Sequence, residues 1–106
     1  MTFAAFLRGA QEISFGSSTS LSFASGRYVL ATATTTSLDL KMPVATGHQM
    51  GEGVCVIVND GANSFDVADK DGVTIQTLAA GKAAYVGLYD NSTAAGSWAA
   101  VLLDDA

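Results

Sequence analysis

The sequence predicts an all-β fold, a small antiparallel β-sandwich or barrel of about eight strands. Three observations predict it. Short runs alternate apolar with polar residues, which is the period of a half-buried strand. The stretch VCVIV at 54–58 is apolar on both faces, as a central strand is. Breaks rich in Gly, Asn, Asp and Ser separate the runs at the spacing of a sandwich or barrel. A chain of 106 residues holds one core by the length prior, and it gains from association with other chains.

Residues 12–15, 20–24 and 27–33 are the first candidate strands. In the next, 37–42, Leu38, Leu40 and Met42 alternate with Ser37, Asp39 and Lys41, and Pro43 ends the ladder because it has no N–H to donate. The Thr-rich run ATATTTSLDL at 31–40 has high β propensity and little charge. It is expected to form an exposed edge that a homotrimer covers. VATGHQMGEG at 44–53 is the longest irregular piece and the natural loop for function.

In the central strand, Val54, Val56 and Val58 point one way while Cys55 and Ile57 point the other. Asn59-Asp60-Gly61 follows as a turn that tolerates positive φ. Phe65 and Val67 alternate with Ser64 and Asp66, and Val73 and Ile75 with Thr74 and Gln76. Asp69-Lys70-Asp71-Gly72 between them is expected to be a hairpin turn with Gly72 left-handed. Residues 83–89 and 97–103 complete the strands of a single domain over 12–106.

Residues 1–11, MTFAAFLRGAQ, form a separate N-terminal arm. Phe3, Phe6 and Leu7 fall at helical spacing in a segment too short to be a stable helix by itself, so it must lean on something. The arm is expected to dock across a subunit boundary, with Arg8 pairing an acidic group there. A first strand buried in the chain's own core is the alternative.

Composition narrows the partners. Charged residues are 14% of the chain and the net charge is -5, with Arg8, Arg27, Lys41, Lys70 and Lys82 scattered, so a phosphate-binding basic patch cannot be written and nucleic acid is not expected. The N-terminus does not read as a signal peptide, and no window reaches the roughly 18 apolar residues of a membrane span. The reading is a soluble protein synthesised in a cytoplasm. One cysteine, Cys55, excludes an internal disulfide framework and a thiolate metal cluster.

Candidate chemistry is sparse. His48 could act as a base or a metal ligand, but His48 and Glu52 are too few for zinc. Asp66, Asp69 and Asp71 before Gly72 vaguely suggest a calcium loop, yet the closing bidentate Glu is missing and hairpin chemistry explains them better. Gly47, Gly51 and Gly53 precede a strand, whereas a phosphate loop needs a helix N-terminus. Cys55 reads as a small core residue. Trp98, with Tyr85 or Tyr89, could stack on a sugar, although a core anchor is the commoner role. No nucleophile-base pair is recognisable, so neither an enzyme nor a cofactor is expected.

Several strings carry a resemblance. GVCVIVNDG (53–61) is followed by Ser-Phe-Asp-Val-x-Asp-x-Asp-Gly (64–72), Ile-x-Thr-Leu-x-x-Gly-Lys (75–82) and Leu-x-Asp-Asn-Ser-Thr-x-x-Gly-x-Trp (88–98). Residues 51 to about 100 thereby resemble a β module of tailed-phage virion proteins, seen in tail-fibre segments and in small capsid decoration, or cement, proteins. The resemblance consists mainly of turn residues and brings no catalytic or binding residue with it. A free-standing chain of this length suits the decoration type better than a long fibre subunit. The resemblance then implies a homotrimer on the outer surface of the phage head, bound to the major capsid protein and stabilising the shell. The acidic balance agrees with a seat away from packaged DNA. The rival expectation is a carbohydrate-binding or tail-fibre adhesin module reading a glycan.

Overall fold

The computed structural model describes residues 11–21, 28–47 and 55–103, the side chains of Gln11 and Gly47 excepted. The arm residues Phe3, Phe6, Leu7 and Arg8, and the loop residues His48, Gly51, Glu52 and Gly53, lie outside them. Within them are nine strands and one 3-10 turn: β1 (Gln11–Phe15), β2 (Thr19–Ser20), β3 (Tyr28–Ala33), β4 (Asp39–Lys41), the turn Ala45–Gly47, β5 (Cys55–Asn59), β6 (Phe65–Ala68), β7 (Thr74–Leu78), β8 (Ala83–Asp90) and β9 (Ser97–Leu103).

The strands form two mixed sheets, ordered β1-β3-β5-β8-β9 and β2-β4-β6-β7. This corrects the antiparallel expectation, because β1–β3, β3–β5, β2–β4 and β4–β6 are all parallel. The reason lies in the connections. Up to β6 each strand is followed by one in the other sheet, so the next strand back in the first sheet runs in the original direction. Strands β1/β2, β3/β4 and β5/β6 thus make three stacked coils, each a strand, an arch and a strand. The later pairings, β5–β8, β6–β7 and β8–β9, are antiparallel.

The arches stack through specific groups. Thr34 N donates to Phe15 O at 2.9 Å, Asp60 N to Ala31 O at 2.8 Å, and Asp66 N to Leu38 O at 3.0 Å. Asn63 Nδ2 donates to Ala33 O at 3.0 Å. Gly61 is required by proximity: a Cβ there would stand 2.8 Å from Thr32 Cγ2. Positive φ is absent from Asn59-Asp60-Gly61 and is found at Gly72, as expected there, and at Gly81, Gly96 and Ser37.

Two sequence expectations about strand position differ in outcome. β5 is the third strand of five, with Cys55 and Ile57 facing one buried cluster and Val58 another. The Thr-rich run 31–40 is not an edge, since it spans β3, an arch and β4, each strand with a neighbour on both sides. The described outer strands are β1 and β9 in one sheet and β2 and β7 in the other. A propensity for β structure does not encode lateral position.

Both sheets contribute to one core. Val29, Ala31, Ile57, Ala84, Val86 and Trp98 from the five-stranded sheet join Leu40, Phe65, Val67 and Leu78 from the four-stranded one. Phe15 and Phe65 meet edge-on across the sheets, with centroids 5.4 Å apart, the arrangement that aromatic quadrupoles favour. Met42, fully buried, follows β4 and donates its backbone N–H to Ala68 O at 2.7 Å. The ladder then stops at Pro43, as expected.

Among the described residues Asn59 is the polar one that is fully buried. Its Nδ2 donates to Asn63 O at 2.8 Å and to Leu78 O at 3.0 Å, while its Oδ1 accepts from Gly61 N at 3.1 Å. One side chain thereby fixes the arch leaving β5 and ties it to β7 in the facing sheet. Such a group is tolerated in a core because its hydrogen bonds are made.

Candidate functional site: the outer face of the five-stranded sheet

Along β3, Val29 and Ala31 enter the shared core, so Tyr28 and Leu30 point outward. The same alternation puts Val56 and Val58 of β5, Ala83 and Tyr85 of β8, and Val101 and Leu103 of β9 on that outer face. Register aligns them into two cross-strand rows. Tyr28, Val56, Tyr85 and Val101 form one, and Leu30, Val58, Ala83 and Leu103 the other.

The rows differ in exposure. Leu30, Val58 and Ala83 are buried as a second cluster against which Val56 and Leu103 pack. Tyr28 is 43% exposed, Tyr85 47% and Val101 61%. Leu102, on the other side of β9, is 49% exposed. Isolated exposed apolar residues are ordinary on protein surfaces, but a contiguous patch on a rigid sheet marks an interaction surface.

Charge lies elsewhere among the described residues. Asp39 and Lys41 of β4 and Asp66 of β6 alternate with core residues and so face outward from the four-stranded sheet, while Asp60, Asp69, Lys70, Asp71, Lys82 and Asp90 occupy turns and strand ends. Glu12, opposite Leu30 at the β1 edge, is the described charge on the apolar face. Among the described residues, then, one face carries most of the charge and the other is mainly aromatic and aliphatic.

The acidic residues near the β6–β7 turn build that turn. Asp69 Oδ1 accepts from Asp71 N at 2.9 Å and Val73 N at 3.0 Å, Gly72 has φ of 88°, and Lys70 pairs with Asp71 at 2.7 Å. Asp66 Oδ1 accepts from Thr77 Oγ1 at 2.6 Å. Among the described residues no three His, Cys, Asp or Glu side chains are grouped to hold a metal. In the β8–β9 loop, Asp90 Oδ1 accepts from Ser92 N at 2.9 Å, and this bond, with one from the Ser92 side chain, holds the carboxyl below its ordinary range.

Cys55 is 1% exposed, and burial pushes its thiol up to about 12. A nucleophile needs the thiolate, so the geometry supports a packing role. Trp98 sits in the core and donates Nε1–H to Ala95 O at 2.9 Å. Tyr89 is exposed, so Trp98 and Tyr89 form no shared stacking platform. A cleft of about 230 Å³ lies beside the stacked arches, lined by Thr36, Ser37, Leu38, Ser64, Phe65 and Asp66. Its aromatic residue, Phe65, is 2% exposed and belongs to the core.

The sequence singles out Tyr85 only as a companion to Trp98 and does not point to Tyr28 or Val101. The available signal was that YVL at 28–30, VIV at 56–58, AAYV at 83–86 and AVLL at 100–103 lack a polar alternate. Four neighbouring strands of that kind make a sheet apolar on both sides. No protein-family model matches the chain, and no curated protein or solved structure matches it significantly.

Proposed function

We propose that this chain is a structural virion protein of the capsid decoration type, a homotrimer that binds the outer surface of a tailed-phage head and stabilises the shell. The observation that carries an assembly role is the outer face of the five-stranded sheet, with Tyr28, Tyr85 and Val101 exposed above buried Leu30 and Val58. Aromatic anchors on a preordered scaffold are what protein interfaces use, because little side-chain freedom is lost when they are buried. The resemblance of residues 51 to about 100 to virion β modules supplies the setting, and a net charge of -5 suits the side of a shell away from DNA.

The second element is the arm, residues 1–11, of which Gln11 begins β1. Its Phe3, Phe6 and Leu7 are the proposed grip on a neighbouring subunit or on the major capsid protein, with Arg8 pairing a carboxylate there. Burying three such side chains contributes on the order of 5 kcal/mol before ordering costs. A glycan-reading role is the weaker reading, since Trp98 is committed to the core.

Co-sedimentation with purified heads from the phage encoding the chain tests the proposal. The intact protein is expected to pellet with shells and raise their disruption temperature. A folded variant lacking residues 2–8 is expected to lose binding. Intact protein that leaves shells bare would refute the assignment, and a saturable response to host glycans would favour the adhesin reading.

A further inference from the structure

We propose that the outer face of the five-stranded sheet is the surface through which copies of this chain associate with one another. This rests on the assembly reading and names the surface on which its self-contact is made. The occupant is a second copy, and three observations select it.

The first is charge. A chain of net charge -5 repels its own copies, so a self-contact must use a surface from which that charge is excluded. The row Tyr28, Val56, Tyr85 and Val101 carries none, and the described charged residues other than Glu12 lie on the opposite sheet or in turns and strand ends. A basic or acidic partner would gain nothing from such a face, whereas a like-charged copy gains from its neutrality.

The second is size. Five strands at ~4.8 Å spacing and about six residues of ~3.3 Å each outline roughly 480 Å² in plan. Leu30, Val58 and Ala83 are already buried and give up no area, so the contact draws on the more exposed row of Tyr28, Val56, Tyr85 and Val101. Side-chain relief and the flanks of β9 add to it.

The third is the edge. β9 is seven residues long, SWAAVLL, contains neither charge nor proline, and among the described residues pairs with β8. It exposes Val101 on one side and Leu102 on the other. Long uncharged edges are the ones soluble monomers avoid. A neighbouring copy on the adjoining face shields this edge as well, so face and edge form one continuous surface.

The test uses the full chain in sedimentation equilibrium. Wild type is expected to run as an oligomer at ~10 µM, and Tyr85→Glu/Val101→Glu as a single chain with an unchanged circular dichroism spectrum. Thr77→Glu, on the charged face, is expected to leave the oligomer intact. Single cysteines give an independent readout that adds no charge: Val101→Cys should form an intermolecular disulfide under mild oxidation, and Thr77→Cys should not. Native Cys55 is buried and does not contribute.

Wild type that remains a single chain at ~100 µM would overturn the inference. So would an oligomer that survives the double substitution, or equal cross-linking at positions 77 and 101. If the double variant unfolds instead, Tyr85 and Val101 support the chain's own fold, and the cysteine pair decides the question. Failure of the virion reading is distinguishable, because an oligomer that breaks as expected yet never binds shells leaves this surface standing and removes the head assignment.

Discussion

Replacing Asn59 by Ala removes the three side-chain hydrogen bonds that fasten the β5–β6 arch to the opposite sheet. Gly61 N, Asn63 O and Leu78 O lose their partner, and the bond to Leu78 O lies in the buried interior. At about 1 kcal/mol net per bond, with the buried carbonyl costing more, the loss is roughly 3 to 4 kcal/mol. For a domain of this size that lowers Tm by about 12 to 25 °C. Urea denaturation followed by Trp98 fluorescence measures it as a fall in midpoint at unchanged slope. Asn59→Asp sharpens the test. It keeps an acceptor for Gly61 N but sets a carboxylate against two carbonyl oxygens, so its folded pKa must rise above the unfolded value. Stability of that variant is fully present below about pH 4, the unfolded value, and is lost as pH rises through the higher folded pKa. Either variant matching wild-type stability at pH 7 would refute the role assigned to this side chain.

Other outcomes follow from the same packing. Gly96→Ala places a Cβ against Ala45 Cβ and 3.0 Å from Leu88 Cδ1 at a φ of 71°, so a loss of roughly 2 to 4 kcal/mol is expected in chemical denaturation. Gly61→Ala presses the third arch against Thr32 of β3 and is expected to cost about 1 to 3 kcal/mol, whereas Gly81→Ala meets nothing within 4 Å and loses only what its φ of 77° costs. Cys55 should resist a thiol reagent at pH 8 until the chain unfolds. Its folded pKa of about 12 lies above the ordinary 9.0 of the exposed thiol, so its contribution is intact below pH 9 and falls by up to about 1.4 kcal/mol per pH unit between the two. Wild-type labelling in the folded state, or a Cys55→Ala variant with the same alkaline loss, would contradict the assignment.

Much of the fold was legible because alternation is local. Leu40, Phe65 and Val67 announce their faces through their immediate neighbours, and all three are buried. Pairing is not local. Asn59-Asp60-Gly61 suits a hairpin and an arch equally in sequence, and only the stacking of Gly61 on Thr32 from the preceding coil distinguishes them. The parallel register of β1, β3 and β5 therefore had no counterpart in turn chemistry. The apolar face was hidden for a related reason: Tyr28 and Val101 lie far apart in the chain and share a row only once β5 and β8 stand between them. The acidic turn at Asp69–Gly72 was readable because its hydrogen bonds close within five residues.

The role proposed for this β module is to cover a protein shell. Co-expressing the chain with the major capsid protein of the same genome, and imaging the resulting heads by cryo-electron microscopy, tests it most directly. Extra density is expected outside the shell at threefold or quasi-threefold positions, with the charged sheet away from neighbouring copies and Tyr85 and Val101 at the contact between them. Heads identical with and without the chain would contradict it.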